Sequence, residues 1–205
     1  MIKFLCMKDY EINLYNQGLK YVAGVDEVGR GPLVGSVVTA CVILPPDFYD
    51  ERINDSKKLT EKKREMLYNV ILKNALSVGI GIASEKVIDE TNILEATKKA
   101  MIEAINNSGI KPEHVLIDAV KLDIDIPTTS IIKGDAKSQT IAAASIIAKV
   151  TRDRMMDELD SMYPEYDFKH NKGYGTKKHI EAIYKYGVLE EHRRTFEPVK
   201  SIVSE

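Results

Sequence analysis

The chain has 205 residues, the length of one domain or of one domain with a small appendage. Its apolar share of 44% excludes collagen-like, low-complexity and wholly disordered proteins. It carries 29 basic and 31 acidic residues, and this net charge of −2 excludes a general electrostatic attraction for nucleic acid. Any polyanion that the protein handles must therefore meet a local basic patch.

The N-terminal stretch Met1–Lys20 predicts a short lead-in helix that ends at Gly18. Its apolar residues are expected to dock the helix on the rest of the domain, and they are Leu5, Ile12, Leu14 and Tyr15. Two β-branched runs follow, Tyr21–Glu27 and Gly35–Leu44, and glycines join them. This pattern predicts an antiparallel hairpin.

The middle of the chain alternates helical and extended patterns. Apolar residues recur at a helical period in Glu61–Leu72 and Asn92–Asn107. The predicted strands are Ala75–Ser84, Val115–Asp118 and Thr129–Ile132. Strands first and alternating helices later indicate an α/β fold with a mixed sheet.

The stretch from Ser138 is rich in alanine and predicts a long helix whose small side chains let it lie close to the sheet. Beyond Tyr163 the composition shifts to Lys, His, Tyr and Gly. We therefore predict a main domain over residues 1–162 and a smaller C-terminal subdomain over residues 163–205.

Two cysteines, Cys6 and Cys41, are too few for a disulfide framework and lack the spacing of a metal site. Charged residues interrupt the N-terminal stretch where a signal peptide would be apolar. No run reaches the roughly 18 apolar residues of a membrane span. We expect a cytoplasmic protein with reduced thiols and no membrane contact.

Several carboxylates stand where apolar strands end. Asp26 and Glu27 close the first strand, Asp118 closes another, and Asp135 lies in the loop before the alanine-rich helix. A carboxylate at the end of a buried strand is costly unless something neutralises it, and strand ends are where ligand crevices form. A divalent cation would relieve the repulsion among converging acids, and Mg²⁺ prefers such oxygen ligands.

The same acids allow a simpler interpretation, in which Asp26 caps a turn, Asp118 caps a loop and Asp135 caps a helix, each alone. Adjacent residues on a regular strand face opposite sides. Asp26 and Glu27 can therefore share one site only if a bulge or the strand end lies there.

The turn Gly29-Arg30-Gly31 follows the first two acids. Its glycines let a ligand approach the backbone closely, and Arg30 can bind a phosphate in fork geometry. A tight turn between two strands would account for these residues equally well.

Five motifs follow one another between about Tyr21 and Pro198, and they are Gly24–Gly35, Asp55–Thr60, Gly134–Ser138, Ala142–Asp153 and Gly173–His179. In residues and in order they closely resemble ribonuclease HII, the type 2 ribonuclease H. The sister family, ribonuclease HIII, has lysine at the position of Arg30, where this chain has arginine.

The resemblance implies an endoribonuclease that cuts RNA in RNA–DNA hybrids, and cuts 5′ to a single ribonucleotide embedded in duplex DNA. It implies an RNase H-like fold, a mixed five-stranded sheet flanked by helices, with a small helical C-terminal subdomain. It also implies two-metal-ion hydrolysis with Mg²⁺ or Mn²⁺, which leaves 5′-phosphate and 3′-hydroxyl ends.

The family's four catalytic, metal-binding acids correspond to Asp26, Glu27, Asp118 and Asp135. After Asp118 this chain has Ala119, where many relatives have glycine. The resemblance thus secures the identity of Asp118 more firmly than the geometry of its loop.

The resemblance also implies substrate-binding residues. Gly29, Arg30 and Gly31 match the turn whose backbone senses the 2′-hydroxyl, the group that distinguishes RNA from DNA. Tyr174 matches the tyrosine that stacks on the deoxyribose after the ribonucleotide. A surface aromatic in a glycine loop is the alternative for Tyr174.

Phosphate contacts must come from local basic residues, and the motif context favours Lys58. Further candidates are Lys149, Arg152, Lys172, Lys177, Lys178, Arg193 and Arg194. Lys149 is equally suited to an ordinary i,i+4 helix pair with Asp153. None of the four histidines, His114, His170, His179 and His192, has metal-ligand spacing or is assigned a catalytic role.

Two other functions stay open at this stage. One is another metal-dependent nuclease of the same fold, such as a junction resolvase or an integrase-like enzyme, which would cut all-DNA substrates. The other is a non-catalytic hybrid-binding module, which would not need four acids at strand ends. We expect a monomer, because no spare apolar helix face is evident in the sequence.

Overall fold

Five strands form one mixed sheet in the computed structural model, which describes residues 7–204. They are β1 (Val22–Val28), β2 (Val37–Ile43), β3 (Ser77–Ala83), β4 (His114–Asp118) and β5 (Thr128–Ile131). Their spatial order is β3-β2-β1-β4-β5. The pairs β1–β2 and β2–β3 are antiparallel, whereas β1–β4 and β4–β5 are parallel. The predicted hairpin and mixed five-stranded sheet are confirmed.

Helices flank this sheet and make up the C-terminal region. They are α1 (Asp9–Tyr15), α2 (Glu61–Asn74), α3 (Glu85–Glu90), α4 (Ile93–Asn106), α5 (Gln139–Met162), α6 (Phe168–Asn171), α7 (Lys177–Tyr186) and α8 (Val199–Ser204). Side-chain oxygens of Thr60, Asn92, Ser138 and Thr176 accept backbone hydrogen bonds at the starts of the longer helices. No helix within residues 7–204 is both long enough and apolar enough to cross a membrane.

The alanine-rich helix α5 packs directly on β1 and β2, as its small side chains predict. A Cβ atom added to Gly24 would lie 2.1 Å from the backbone carbon of Thr140, so strand and helix touch through their main chains. Buried alanines of α5 share a core with aliphatic residues of β2 and α2. This tight packing fixes the start of α5 relative to the end of β1.

The lead-in helix is shorter than the predicted segment and docks differently. Leu14 and Tyr15 pack against the core, whereas Ile12 is 44% exposed, so its predicted docking role is wrong. Leu5 lies outside the described residues. Fully buried Glu11 does much of the docking, because its Oε1 accepts a hydrogen bond of 2.7 Å from the Ser138 hydroxyl at the start of α5.

The C-terminal region after Tyr163 is helical, as the resemblance implies. Its core is continuous with the main domain, because Tyr166 and Phe168 pack in one cluster with Leu33 and Met156. The boundary between residues 162 and 163 stays a prediction.

Candidate active site

Three carboxylates meet where the parallel strands β1 and β4 end. The register pairs Val25 with Ile117. Asp26 and Asp118 each follow by one residue, so they lie side by side at the carboxyl ends of these two strands. Asp135 reaches them from a 3-10 turn at Gly134–Ala136, between β5 and α5. One carboxylate oxygen from each of the three lies within 4.8 Å of the others.

Backbone amides orient two of these carboxylates. The Glu27 N–H donates to Asp26 Oδ1 at 2.8 Å, and the Gly134 N–H donates to Asp118 Oδ1 at 2.7 Å. The second bond joins the end of β4 to the turn that carries Asp135. The cluster is therefore built by strand ends and their loops, as the sequence pattern predicts.

Burial is the main reason why the pKa of Asp26 stands well above its ordinary value, and the charges of Glu27 and Asp118 add to the effect. Burial also raises the pKa of Asp135, with Asp118 as the next contributor. A divalent cation bound here would replace this repulsion with attraction. The donor set of three carboxylates suits a hard cation such as Mg²⁺ or Mn²⁺.

Glu27 is the fourth predicted acid, and the structure does not include it in this three-carboxylate group. The β1–β2 ladder runs without a bulge through Glu27 paired with Thr39 and Val28 paired with Val38. Alternation along the strand points successive side chains in opposite directions, although the charge of Glu27 is close enough to raise the pKa of Asp26. Glu27 Oε1 lies 3.5 Å from Arg30 Nη1 instead. Its role as a metal ligand stays a prediction.

A cavity of about 220 Å³ is lined by Glu27 and by Lys57, which forms an ion pair with Asp135. Its lining combines the predicted turn and tyrosine with two lysines and a buried arginine: Glu27, Val28, Gly29, Arg30, Gly31, Ser56, Lys57, Lys149, Arg152 and Tyr174. A Cβ atom on Gly31 would lie 3.4 Å from the Tyr174 ring, which is 48% exposed. The turn at residues 29–31 and Tyr174, far apart in the chain, thus form one surface.

The cavity contains Lys57 rather than Lys58. Lys57 Nζ lies 3.7 Å from Asp135 Oδ2, whereas Lys58 Nζ lies 3.6 Å from Asp55 Oδ2. The sequence motif favours Lys58 and offers no signal for its neighbour, because the 3-10 turn at Ser56–Lys58 decides which lysine faces the acids. The substrate-binding role predicted for Lys58 stays untested.

Two arginines proposed as phosphate contacts are buried, so that prediction is wrong for both. Arg152 and Arg193 are 1% and 0% exposed and donate to backbone carbonyls. Burial lowers the pKa of Arg152 to about 10 and the pKa of Arg193 to about 9. Lys149 Nζ lies 2.6 Å from Asp153 Oδ1, which agrees with the helix-pair interpretation.

A model of the ribonuclease HII family matches residues 23–199 of this chain. The chain belongs to the ribonuclease HII family. Ribonuclease HII of Bacillus cytotoxicus is 61% identical over 201 residues, which cover 98% of this chain and 78% of the relative. Ribonuclease HII of Bacillus mycoides is 60% identical with the same coverage.

Solved structures agree with this assignment. The ribonuclease H2 from Pyrococcus horikoshii is 30% identical and superposes with a TM-score of 0.77, covering 90% of this chain and 97% of that chain. Bst-RNase HIII in complex with Mn²⁺ has a TM-score of 0.69 at 16% identity, covering 90% and 70%, and shows the shared fold. As a member of the ribonuclease HII family, the chain is a divalent-metal-dependent endoribonuclease that acts on RNA–DNA hybrids.

Proposed function

We propose that this chain cuts the RNA of RNA–DNA hybrids and also cuts 5′ to single ribonucleotides in duplex DNA, by two-metal-ion hydrolysis. The observation that carries the proposal is that the cavity lined by Gly31 and Tyr174 also contains Lys57, whose Nζ lies 3.7 Å from Asp135 of the three-carboxylate group. Such a site combines a group of cation-binding carboxylates with a surface for two consecutive sugars on the 3′ side of the cut.

Asp26, Asp118 and Asp135 would hold the ions, Mg²⁺ or Mn²⁺, and Glu27 would complete the ligand set. When bound, such ions supply an activated water for in-line attack on phosphorus and charge stabilisation for the departing 3′ oxygen. The products would then carry 5′-phosphate and 3′-hydroxyl ends. Asp26 is buried, and the Glu27 amide fixes its carboxylate.

The turn at Gly29–Gly31 is suited to recognising a 2′-hydroxyl. The carbonyls of Gly29 and Arg30 accept hydrogen bonds from Arg193, at 2.6 and 3.0 Å. The amides of Arg30 and Gly31 donate to none of the residues that the structure describes, so they are free to bind the hydroxyl oxygen. The exposed Tyr174 ring beside Gly31 would then pack on the following deoxyribose.

The expected partners are RNA–DNA hybrid and ribonucleotide-containing duplex DNA. Lys57, beside the acids, is the best-placed cation for a phosphate. We further propose that the protein acts as a monomer in the cytoplasm. The buried, unpaired thiol of Cys41 is consistent with a reducing compartment.

One assay tests the proposal. Duplex DNA with a single ribonucleotide is incubated with Mg²⁺, with Mn²⁺ and without metal, beside an all-DNA duplex and an RNA–DNA hybrid. We expect metal-dependent cleavage of the first substrate and of the hybrid, with a 3′-hydroxyl on the upstream product. Cleavage of the all-DNA duplex would contradict the proposal, as would binding of the ribonucleotide-containing duplex without cleavage.

A further inference from the structure

We propose that His179, His192 and Arg193 are positioning residues that join the Gly29–Gly31 turn to the Tyr174 loop and so set the preference for a ribonucleotide followed by DNA. This inference rests on the proposed function of these two elements. It assigns a role to three buried side chains that touch neither the carboxylates nor the open cavity.

Arg193 binds the backbone of the Gly29–Gly31 turn. Its guanidinium donates to the carbonyls of Gly29, Arg30 and Gly35, at distances between 2.6 and 3.0 Å. These acceptors are neutral, and the fork of a guanidinium matches several carbonyls at once in a way that a lysine ammonium does not. This one side chain therefore orients the carbonyls of both Gly29 and Arg30 in the turn.

The histidines hold the Tyr174 loop. The Leu189 amide donates to His192 Nδ1 at 3.0 Å, so His192 carries its proton on Nε2. That atom lies 3.2 Å from His179 Nε2. His179 Nδ1 lies 2.9 Å from the Tyr174 carbonyl oxygen, which can only accept. A single set of neutral tautomers satisfies the whole chain of bonds, running from Leu189 to Tyr174.

Aromatic rings enclose this pair. Phe168 makes an edge contact with His179 at 5.3 Å between ring centroids, and Tyr166 lies 5.7 Å from the centroid of His192. The packing excludes water from the histidine pair and leaves its hydrogen bonds without competitors. The two histidines therefore form a rigid contact that holds the Tyr174 loop in place.

Backbone hydrogen bonds also connect the Gly29–Gly31 turn to the Tyr174 loop. Leu33 donates to the Gly173 carbonyl and accepts from the Arg193 amide, each at 2.8 Å, while Val34 pairs with His192 in an isolated antiparallel bridge. Residues 33–35 follow the turn after Pro32, and Gly173 directly precedes Tyr174. The distance between the 2′-hydroxyl sensor and the stacking ring is thus set by the segment that contains residues 192 and 193.

The test compares two substrates, duplex DNA with a single ribonucleotide and a hybrid with an all-RNA strand. In His179→Phe and Arg193→Lys we expect the ratio of kcat/KM, first substrate over second, to fall at least about tenfold, since the turn and the ring lose their fixed spacing. His114→Gln is the matched control, because His114 also makes a side-chain hydrogen bond, to Thr129, but at the far end of β4. Its ratio should equal that of the wild type. Ratios within about twofold of the wild type in both variants would overturn the inference.

A second measurement needs no variant. Nitrogen-15 NMR of histidine-labelled wild-type protein should show His192 as the Nε2–H tautomer and His179 as the Nδ1–H tautomer. The opposite tautomer at either residue would contradict the chain of hydrogen bonds from Leu189 to Tyr174. Wild-type protein that cleaves neither substrate would instead refute the proposed function, and the tautomer measurement would still decide whether the chain of hydrogen bonds from Leu189 to Tyr174 exists.

Discussion

Asp118 Oδ1 accepts a hydrogen bond of 2.7 Å from the backbone amide of Gly134. This one contact fixes the spacing between two of the carboxylates, because Asp118 ends β4 and Gly134 precedes Asp135. The residue between strand and loop, Ala119, has a φ of +51°, in the left-handed region. Backbone strain therefore lies directly beside a predicted metal ligand.

Replacing Ala119 with glycine should relieve that strain. The exposed methyl group contributes no packing, so Ala119→Gly should raise the free energy of unfolding by about 0.5–1 kcal/mol, which is roughly 2 °C in Tm. Urea denaturation measures this change. Ala119→Val is the control and should destabilise, because a β-branched residue tolerates positive φ poorly. A glycine variant less stable than the wild type would contradict the prediction.

Asp26→Asn should abolish cleavage and stabilise the metal-free protein. The change removes a buried charge that faces Asp118 and Asp135, so Tm without metal should rise by more than about 2 °C. Because the pKa of Asp26 is raised in the native state, the stabilisation by Asp26→Asn should increase as the pH rises. At pH 4 the native carboxyl is largely protonated and the gain is small, whereas at pH 8 the gain should be larger. Calorimetry at both pH values in EDTA tests this, and a variant less stable at pH 8 would contradict it.

Lys57 and Lys58 form a matched pair for mutation. Lys57→Ala should raise the KM for hybrid about fivefold, roughly 1 kcal/mol, and lower the salt dependence of binding by about one ion. Lys58→Ala, which among the described residues loses the ion pair with Asp55, should change KM less than twofold. Steady-state kinetics at two salt concentrations distinguish the two. Equal effects would show that proximity to Asp135 does not matter.

Gly29 and Gly31 should respond to alanine in different ways. Gly29 has a φ of +101°, and a Cβ atom there would lie 2.2 Å from Arg152 Nε, so Gly29→Ala should cost at least about 2 kcal/mol of stability. Gly31→Ala meets only the Tyr174 ring, at an ordinary 3.4 Å, and should stay within about 0.5 kcal/mol of the wild type. Its methyl group would occupy the sugar surface, and activity on ribonucleotide-containing duplex should fall at least about tenfold. Full activity of Gly31→Ala would refute the assigned sugar contact.

Acid should destabilise the C-terminal core through His192. Burial lowers the pKa of His192 to about 4, whereas an unfolded histidine titrates near pH 6.5. Between these values the unfolded chain binds a proton that the native state does not, so stability falls as pH drops from about 6.5 to 4, by on the order of 3 kcal/mol. Urea titrations of wild type and His192→Phe at several pH values isolate this contribution. Parallel pH profiles would contradict the prediction.

The sequence predicts the sheet, the long helix and the meeting of Asp26, Asp118 and Asp135, because strand ends and loop positions follow from local patterns. It does not predict that Arg193 is buried, since carbonyls from a turn far away in the chain satisfy its donors. Charge alone suggests a surface residue. The exposure of Ile12 likewise depends on tertiary packing, because fully buried Glu11 docks that helix through Ser138. Composition and the spacing of apolar residues do not indicate which of two adjacent side chains, Lys57 or Lys58, points toward the acids.

The guanidinium groups of Arg152 and Arg193 carry their charge where mobile ions cannot approach. A nucleic acid at the cavity mouth would feel this charge without displacing any counterion from it. Salt titrations count released ions, so their slope omits such a contribution. Binding to this protein should therefore keep a salt-insensitive electrostatic component that persists at ionic strengths where surface lysines are fully screened.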